Sequence, residues 1–516
     1  MDSNFLFVDF AGTQSQQLAV SKKKHAFLQK KHHQRRRHES LQRLKTSIRP
    51  FPSESSAGPL VQKDDCEVPA CLEAWSLQRT VSPGVLDPFS SLGLSMPAEM
   101  DTYFYHFRDY LTPAIYPFVP DKMNIWWWQK SADQPALLQA LLATSALHKS
   151  YLGREAGVSS RTISKSAMDS LQLRTKAIKG LQRVLENLGD DFIESIILAV
   201  ANLVCAEAAG ANKEAAGAHM SGLRKLVYLR GGLDNLEDLT ISTIYCGDFM
   251  RGLLTRCPPA FPMSDAWKSK VLQQSRAAQS IHENTALYPP GIRFFTSPWS
   301  RDLHSGMRSS LRLFQRLASY YESTEREPSM RAPIDNSLMI IGGHRLLSLS
   351  FSGTSASFQE SLRLAMLVYC ATRILDLQWI NCVPFAVEDL RQSLHSSLSI
   401  LQDTACDLLF WILFVGGMAS QGLECHRWFV IRLGEAAERL AVTDWNTALS
   451  LLRQFFFVIR PAEKQPERLW NSTVEKLRIN QSQCPVSIHE LSPHLLNLKI
   501  TLTGHEDELQ ASHSNC

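Results

Sequence analysis

The sequence contains none of the short motifs with which enzymes commonly bind nucleotides, metals or acyl groups. It has no phosphate loop of the form GxxxxGK[ST] or GxGxxG, no GxSxG turn and no HExxH pair. Its carboxylates are spread singly along the chain, and no pair is placed for acid–base catalysis. We therefore predict a protein that has no catalytic site and binds no cofactor.

Closely spaced zinc-binding pairs are also missing. Structural zinc sites use about four Cys or His ligands, usually supplied as pairs such as CxxC, and none of the 11 cysteines belongs to one. The nearest two, Cys66 and Cys71, have no second pair beside them. His32, His33 and His38 are close together, but the Lys and Arg residues among them would repel a cation. An odd number of unpatterned cysteines indicates reduced thiols in an intracellular protein.

No apolar run reaches the length of about 18 residues that a membrane-spanning helix needs. The longest, LLFWILFVGGM at 408–418, is predicted to be a buried core helix. The first residues, MDSNFLFVDF, lack the basic start of a secretory signal, and their apolar run ends at Asp9. Hydrophobic residues make up 44% of the chain, enough for a sizeable core. The sequence therefore predicts a globular protein with no membrane partner.

Positive charge is concentrated between residues 22 and 45, although the formal net charge of the whole chain is only +4. This segment, KKKHAFLQKKHHQRRRHESLQRLK, contains one acidic residue, Glu39. Two of its basic clusters lie about ten residues apart, which suits a bipartite nuclear import signal. A solvated arm with no specific partner is the alternative, and nonspecific contact with DNA phosphates is compatible with import. The candidate residues are Lys22, Lys23, Lys24, Lys30, Lys31, Arg35, Arg36 and Arg37.

Composition divides the chain into three parts. We predict residues 1–98 to be a disordered tail, because the stretch after Thr46 is rich in Ser, Pro and acidic residues. Such a stretch cannot bury enough apolar surface to offset the entropy lost on ordering. Residues 99–475 are predicted to form a helical domain, and the polar residues 476–516 are predicted to fray.

Apolar residues recur at intervals of three and four through much of 99–475, which predicts amphipathic helices. Because no run alternates for long with period two, the predicted fold class is all-α, with packed antiparallel helices. The nearly continuous apolar run at 192–209 predicts a central helix, and Asp444 is a candidate N-cap. Residues 258–300, rich in Pro and aromatic side chains, are predicted as irregular connections. The strongest predicted helices are 136–151, 171–188, 192–209, 214–230, 360–375, 390–417, 425–441 and 444–458.

Two further features are better explained by packing than by ligand binding. The triplet Trp126–Trp128 could form a binding platform, but partly exposed core tryptophans are the simpler interpretation. His219 lies on the predicted helix at 214–230, where a hydrogen-bonded structural histidine is more common than a functional one. We therefore assign neither feature to a binding site.

Several sequence blocks, taken in order, resemble the fungal-specific transcription factor domain. The most specific is AGAHMSGLRKLVYLRGGLDNL at 216–236. The resemblance covers about residues 99–460 and depends on the order and spacing of the blocks. The other blocks are DTYFYHFRDYLTPAIYPF (101–118), WWWQKSADQPALLQALLATSALHKSYLG (126–153), LRTKAIKGLQRVLEN (173–187), IILAVANLVCAEAAG (196–210), LLFWILFVGGMAS (408–420), RWFVIRL (427–433) and the helix of Trp445.

The resemblance implies a nuclear, helical regulatory domain with no catalytic residues. Such domains often accompany a zinc-binuclear-cluster DNA-binding module, but this sequence contains no CxxCx6C array, so no residue inherits sequence-specific DNA contacts. Among the motif residues, Gly222 is expected to permit close helix approach, and Gly231 and Gly232 to end a helix. The motif residues implied to be structural are His219, Gly222, Leu223, Arg230, Gly231, Gly232, Trp411 and Trp428.

These observations lead to one main hypothesis and two alternatives. The main hypothesis is a nuclear transcriptional regulator that acts through other transcription regulators or through a second copy of itself. The first alternative is an interaction scaffold unrelated to transcription. The second is a regulatory module that senses a small metabolite, so the question of a small-molecule ligand stays open.

Overall fold

A computed structural model describes residues 98–132, 134–186, 193–279, 289–324, 332–351, 357–378, 380–457 and 463–483. The basic segment 22–45 and nearly all of the tail predicted at 1–98 lie outside these residues. So does most of the C-terminal tail predicted at 476–516, except that residues 476–483 continue the last helix.

The described residues form helices and no strand, which confirms the predicted all-α fold class. Two π-helical turns, Phe107–Leu111 and Cys370–Ile374, and two 3₁₀ turns, Leu233–Asn235 and Pro298–Asp302, join some of them. The α-helices are α1 Ala98–His106, α2 Thr112–Ile115, α3 Pro120–Ser131, α4 Pro135–Glu155, α5 Ser160–Glu186, α6 Ile193–Ala209, α7 Lys213–Leu229, α8 Asp238–Thr255, α9 Asp265–Gln274, α10 Arg276–Gln279, α11 Arg293–Thr296, α12 Ser305–Thr324, α13 Asp335–Ser348, α14 Ser357–Tyr369, α15 Val383–Thr404, α16 Cys406–Ala419, α17 His426–Arg439, α18 Trp445–Gln454 and α19 Gln465–Gln483.

Helices that follow one another in sequence mostly pack against each other. α4 packs against α5 and α6, α6 packs against α7 and α8, and α8 packs against α13. From there the packing continues through α14 and α15 to α16, α17 and α19. Short connections favour such neighbouring pairs, because the chain reverses direction after each helix.

α6 lies in the centre of the first part of this array, as its apolar sequence predicts. Ile197, Leu198 and Val204 are fully buried. α8 is buried on nearly all sides as well, although its sequence, DLTISTIYCGDFMRGLLT, contains several polar residues. Two of these residues are satisfied locally, since Thr243 donates to the carbonyl of Leu239 and Arg251 pairs with Asp248. Internal pairing of this kind permits polar residues on a buried helix.

α5 packs one face of small side chains closely against α4. Ser170 donates a hydrogen bond to the carbonyl of Ala143 at 2.8 Å. A Cβ atom at Gly180 would lie 3.2 Å from the Cβ of Ala136, so the two backbones approach closely here. The opposite face of α5 remains in solvent, because no other described helix covers it.

The prediction of one helix over 390–417 was wrong, because α15 and α16 are separate helices. The chain breaks at Ala405, which has φ −151° and ψ 51°. Asp407, in the first turn of α16, accepts hydrogen bonds from Trp299 Nε1 at 3.1 Å and from Arg293 Nη1 at 2.6 Å. These distant partners fix where α16 begins, and a local sequence pattern cannot reveal them.

The prediction of irregular structure through 258–300 was wrong for α9. The hydroxyl of Ser264 accepts the backbone N–H of Trp267 at 3.1 Å and so caps this helix. The Trp267 side chain is buried and donates Nε1–H to the carbonyl of Asp238 at 3.1 Å. The predicted N-cap at Asp444 is confirmed, since its carboxylate accepts the N–H groups of Asn446 and Thr447.

Candidate interaction surface

α7 carries the most specific sequence block, and one side of it belongs to the core. The side chains of Met220, Leu223 and Val227 are buried at spacings of three and four. The opposite side reaches solvent, and two large side chains are exposed there. Tyr228 is 83% exposed and Leu229 is 69% exposed. Core packing therefore accounts for the apolar residues on the buried side of α7, but not for Tyr228 and Leu229 on the exposed side.

The two adjacent glycines end α7 as predicted. Gly231 and Gly232 have φ values of 87° and 102°, in a region that L side chains rarely adopt. The N–H of Gly232 bonds the carbonyl of Val227 at 2.9 Å, and the N–H of Gly231 bonds that of Tyr228 at 2.9 Å. This closing pattern satisfies carbonyls that the helix leaves open.

Gly222 does not have the role expected of it. A Cβ atom added there would meet no atom within 4 Å, so no neighbouring helix approaches closely at this position. The expectation of a close helix contact at Gly222 was therefore wrong. The residue lies on a part of α7 that faces open space.

His219 places α7 beside two other helices. Arg174 of α5 and Glu207 of α6 form an ion pair with an N–O distance of 2.7 Å. Burial lowers the pKa of His219, and the charges of Glu207 and Arg174 both act on it. α5, α6 and α7 are therefore neighbours, and Arg174 and His219 mark where the outer faces of α5 and α7 come near each other.

Exposed apolar side chains are concentrated on these two helices. Among the described residues, five of the seven large apolar side chains that are exposed lie on α5 or α7. We call this region the α5–α7 surface. Its apolar members are Met168, Leu171 and Leu185 on α5, and Tyr228 and Leu229 on α7.

The α5–α7 surface is also basic. Five of the exposed cations on these helices or directly after them form no ion pair with another residue that the structure describes. The acidic residues of the two helices are Asp169, Glu186 and Glu214. These five cations are Lys176 and Lys179 on α5, and Arg224, Lys225 and Arg230 on or after α7.

The comparison with protein families decides the identity of the domain. The family model of the fungal specific transcription factor domain matches residues 102–455, more than half of the chain. The chain belongs to the fungal specific transcription factor domain family. Comparisons with curated proteins and with solved structures gave no match. The family is defined as a transcription factor domain and not as an enzyme family.

Two further motif residues of this fungal transcription factor domain, Trp411 and Trp428, pack against other aromatic residues. Trp411 is completely buried and donates Nε1–H to the carbonyl of Phe456 at 2.9 Å. Trp428 is half-buried and packs edge-on against Phe429, with ring centroids 5.0 Å apart. Arg230, in contrast, is exposed directly after α7.

The tryptophan triplet is packed, as its interpretation from the sequence predicted. Trp126 and Trp127 are buried, and Trp126 donates Nε1–H to Glu237 Oε1 at 2.8 Å. Trp128 is half-buried and stacks on Phe104 at a centroid distance of 3.7 Å. The triplet attaches α3 to its neighbours and offers no open aromatic platform.

Beside the first π-helical turn, the described residues enclose a mostly apolar cavity with a volume of about 30 Å³. Phe107, Trp127, Cys205, Cys246 and Met250 are among its lining residues. Ligand pockets usually measure about 300–1,000 Å³, so this cavity has room for water alone. Elsewhere in the core, burial raises the pKa of the Cys370 thiol, as expected for an inert cysteine.

A histidine pair lies in the core between α1 and α4. His106 Nε2 and His148 Nδ1 are 3.0 Å apart, and both rings are buried. Burial is the main cause that lowers both pKa values, that of His148 to about 4. At neutral pH the two rings are uncharged and share a hydrogen bond, so the pair is a packed polar contact.

The part of the chain that the structure describes shows neither a metal-binding cluster nor a membrane-spanning helix. No group of three or more His, Cys, Asp or Glu side chains there is arranged to hold a metal ion. Within the same residues, no helix combines the length and the apolarity needed to cross a bilayer.

Proposed function

We propose that this chain is a nuclear transcriptional regulator that acts by binding other proteins through its helical domain. Family membership supports a role in transcription. The observation that carries the mode of action is the concentration of exposed apolar side chains on the α5–α7 surface. A soluble domain rarely exposes such a cluster unless a partner covers it.

The regulator works without a zinc-cluster DNA reader in this sequence, which has no CxxC pair. Sequence-specific positioning on DNA then comes from its partners, which are other transcription regulators or a second copy of the chain. The basic segment 22–45 adds contact with DNA phosphates that does not depend on base sequence.

The same basic segment directs the chain to the nucleus. Its clusters Lys22–Lys24 and Arg35–Arg37 have the spacing of a bipartite import signal. A fluorescent fusion in which both clusters are replaced by Ala should lose nuclear accumulation, while the unmodified fusion should retain it. Equal nuclear fluorescence of the two fusions would remove the import role.

Deletion of the gene, followed by transcript profiling and by genome-wide occupancy mapping of an epitope-tagged chain, tests the regulatory role. We expect a defined set of transcripts to change and the tagged chain to be found on chromatin near those genes. A scaffold unrelated to transcription would use the same surface but leave transcript levels unchanged. Metabolite sensing remains the alternative, because the described residues also form an open cavity of about 320 Å³ that is lined by Asp109, Tyr110, Tyr321 and Asp376 among others.

A further inference from the structure

We propose that the α5–α7 surface binds an amphipathic helix of a partner protein, with apolar residues along one side and acidic residues beside them. This inference rests on the proposed function, since it names the class of partner through which the domain acts. It follows from three features of the surface: its apolar anchors, its cations without an ion-pair partner among the described residues, and the open position at Gly222.

The sides of α5 and α7 that face the proposed partner follow from residues at helical spacing. On α7, positions 219, 222, 226 and 229 share one side, and Arg174 lies near the first of them. Positions 174, 178 and 185 share one side of α5 in the same way. Gly222 has no side chain and meets no atom within 4 Å of its Cβ position, and Leu229 is exposed, so this side of α7 is open at these two positions, whereas Leu226 between them is buried. The partner helix would lie over Gly222 and Leu229.

The apolar anchors favour a protein partner. Tyr228 and Leu229 project from the end of α7, and Leu185 lies near the end of α5. An amphipathic helix that docks in a groove inserts side chains spaced three and four residues apart, and exposed Leu and Tyr side chains complement them. Aromatic residues of this kind contribute strongly to binding at protein interfaces.

The positive charge of the α5–α7 surface determines which kind of partner helix can bind there. Lys176, Lys179, Arg224, Lys225 and Arg230 are exposed around the apolar anchors and have no acidic partner among the described residues. A partner with Asp and Glu beside its apolar side would pair with them, whereas a basic helix would be repelled. DNA would satisfy the cations but would leave the apolar side chains uncovered.

The first experiment measures binding of a synthetic peptide by fluorescence anisotropy. The probe is a labelled helical peptide with Leu and Phe on one side and Glu and Asp beside them. The protein is the full chain with Lys22–Lys24 and Arg35–Arg37 replaced by Ala, so that the basic tail does not compete. We expect Tyr228→Ser with Leu229→Ser to weaken binding about tenfold or more. Ile400→Ser, which changes an exposed apolar residue of α15, should leave the Kd unchanged.

The charge is tested in the same assay. Lys179→Glu with Lys225→Glu should weaken binding about tenfold or more and reduce its dependence on salt. The matched control is Arg453→Glu, which reverses an exposed cation on α18. Circular dichroism and thermal unfolding of each variant verify that the helices and their stability are retained.

A DNA duplex with the same label provides the opposing result. Tighter binding of the duplex than of the peptide, with no effect of the Tyr228 and Leu229 substitutions, would overturn the proposal in favour of a nucleic-acid surface. A Kd for the peptide that neither pair of substitutions changes would overturn the proposal as well. If deletion still changes transcript levels in that case, the proposed function stands and only the assignment of this surface fails.

Discussion

The phenolic hydroxyl of Tyr320 donates a hydrogen bond to Asp335 Oδ2 at 2.7 Å, within the core of the domain. Asp335 is completely buried and also accepts the hydroxyl of Ser275 at 2.9 Å and the N–H of Ala332 at 2.8 Å. These contacts join α12, the segment between α9 and α10, and the start of α13 around one carboxylate.

The carboxylate of Asp335 is expected to contribute strongly to stability. Asp335→Ala would leave the Tyr320 and Ser275 hydroxyls and the Ala332 N–H without their acceptor in a buried site. We expect the free energy of unfolding to fall by about 3 kcal/mol, since each buried group left unsatisfied is costly. Thermal and urea unfolding measure the change. Asp302→Ala, at an exposed position, is the control and should change it little.

The ion pair of Arg373 and Glu463 offers a second test. The guanidinium is almost completely buried and donates to both carboxylate oxygens, at 2.6 and 2.8 Å. Glu463→Ala should destabilise the domain by about 3–5 kcal/mol, because it leaves a buried positive charge without this carboxylate.

The double variant Arg373→Met/Glu463→Met separates charge from packing. It should recover much of the stability, since an apolar pair of similar volume often replaces a buried ion pair without loss. If the double variant unfolds at the same urea concentration as Glu463→Ala, the loss does not come from the unpaired charge.

Two helical glycines should respond in opposite directions to the same substitution. Gly222→Ala meets no atom within 4 Å, so the higher helix propensity of Ala should stabilise the domain by about 0.5–1 kcal/mol. Gly416→Ala would place its Cβ 2.2 Å from Phe429 Cε1, and we expect it to destabilise the domain by about 1–3 kcal/mol. Urea unfolding of both variants measures the difference, and the same sign for both would contradict the packing described for α16 and α17.

The pair of His106 and His148 predicts how stability depends on pH. Burial lowers both pKa values below those of the unfolded chain, that of His148 to about 4. Below about pH 6.5 the unfolded state therefore binds more protons than the folded state, and acid destabilises the fold. The contribution of this pair is present above about pH 6.5 and is lost as the pH falls toward 4.

The matched variant is His106→Gln/His148→Gln, which removes both titrating rings and retains polar side chains. Lys149 and Asp376 lie close enough to act on the pair and are left unchanged. The free energy of unfolding of the parent should fall more steeply between pH 6.5 and 4 than that of the variant, by up to about 1.4 kcal/mol per pH unit for each proton. Equal slopes would show that the rings titrate normally.

Much of the local structure could be predicted from the sequence, and some of it could not. The periodic segments at 192–209 and 214–230 correspond to α6 and α7 within one residue at most ends, and Asp444 caps α18 as predicted. α8 was not predicted, because a helix that is buried on all sides has polar residues without amphipathic order. The start of α16 depends on Trp299 and Arg293, which are more than 100 residues away in sequence.

Some features of the α5–α7 surface could likewise be predicted from the sequence, and others could not. Its α7 residues lie in the sequence block 216–236, whose resemblance to a family could be read directly, and the glycines after α7 were predicted to end it. The exposure of Tyr228 and Leu229 could not be predicted, because apolar residues in an amphipathic pattern are normally assigned to the core.

The linear order of residues thus established most of the amphipathic helices, several of their ends and the resemblance to the family, because helix formation depends on neighbours within a few positions. Which sides of those helices are covered was established by contacts between distant segments. α4 and α6 bury one side of α5 and α7, and no other described helix lies over the opposite sides. Burial is a property of the packed assembly, so an apolar residue at the end of α7 has no fixed environment until its neighbours are in place.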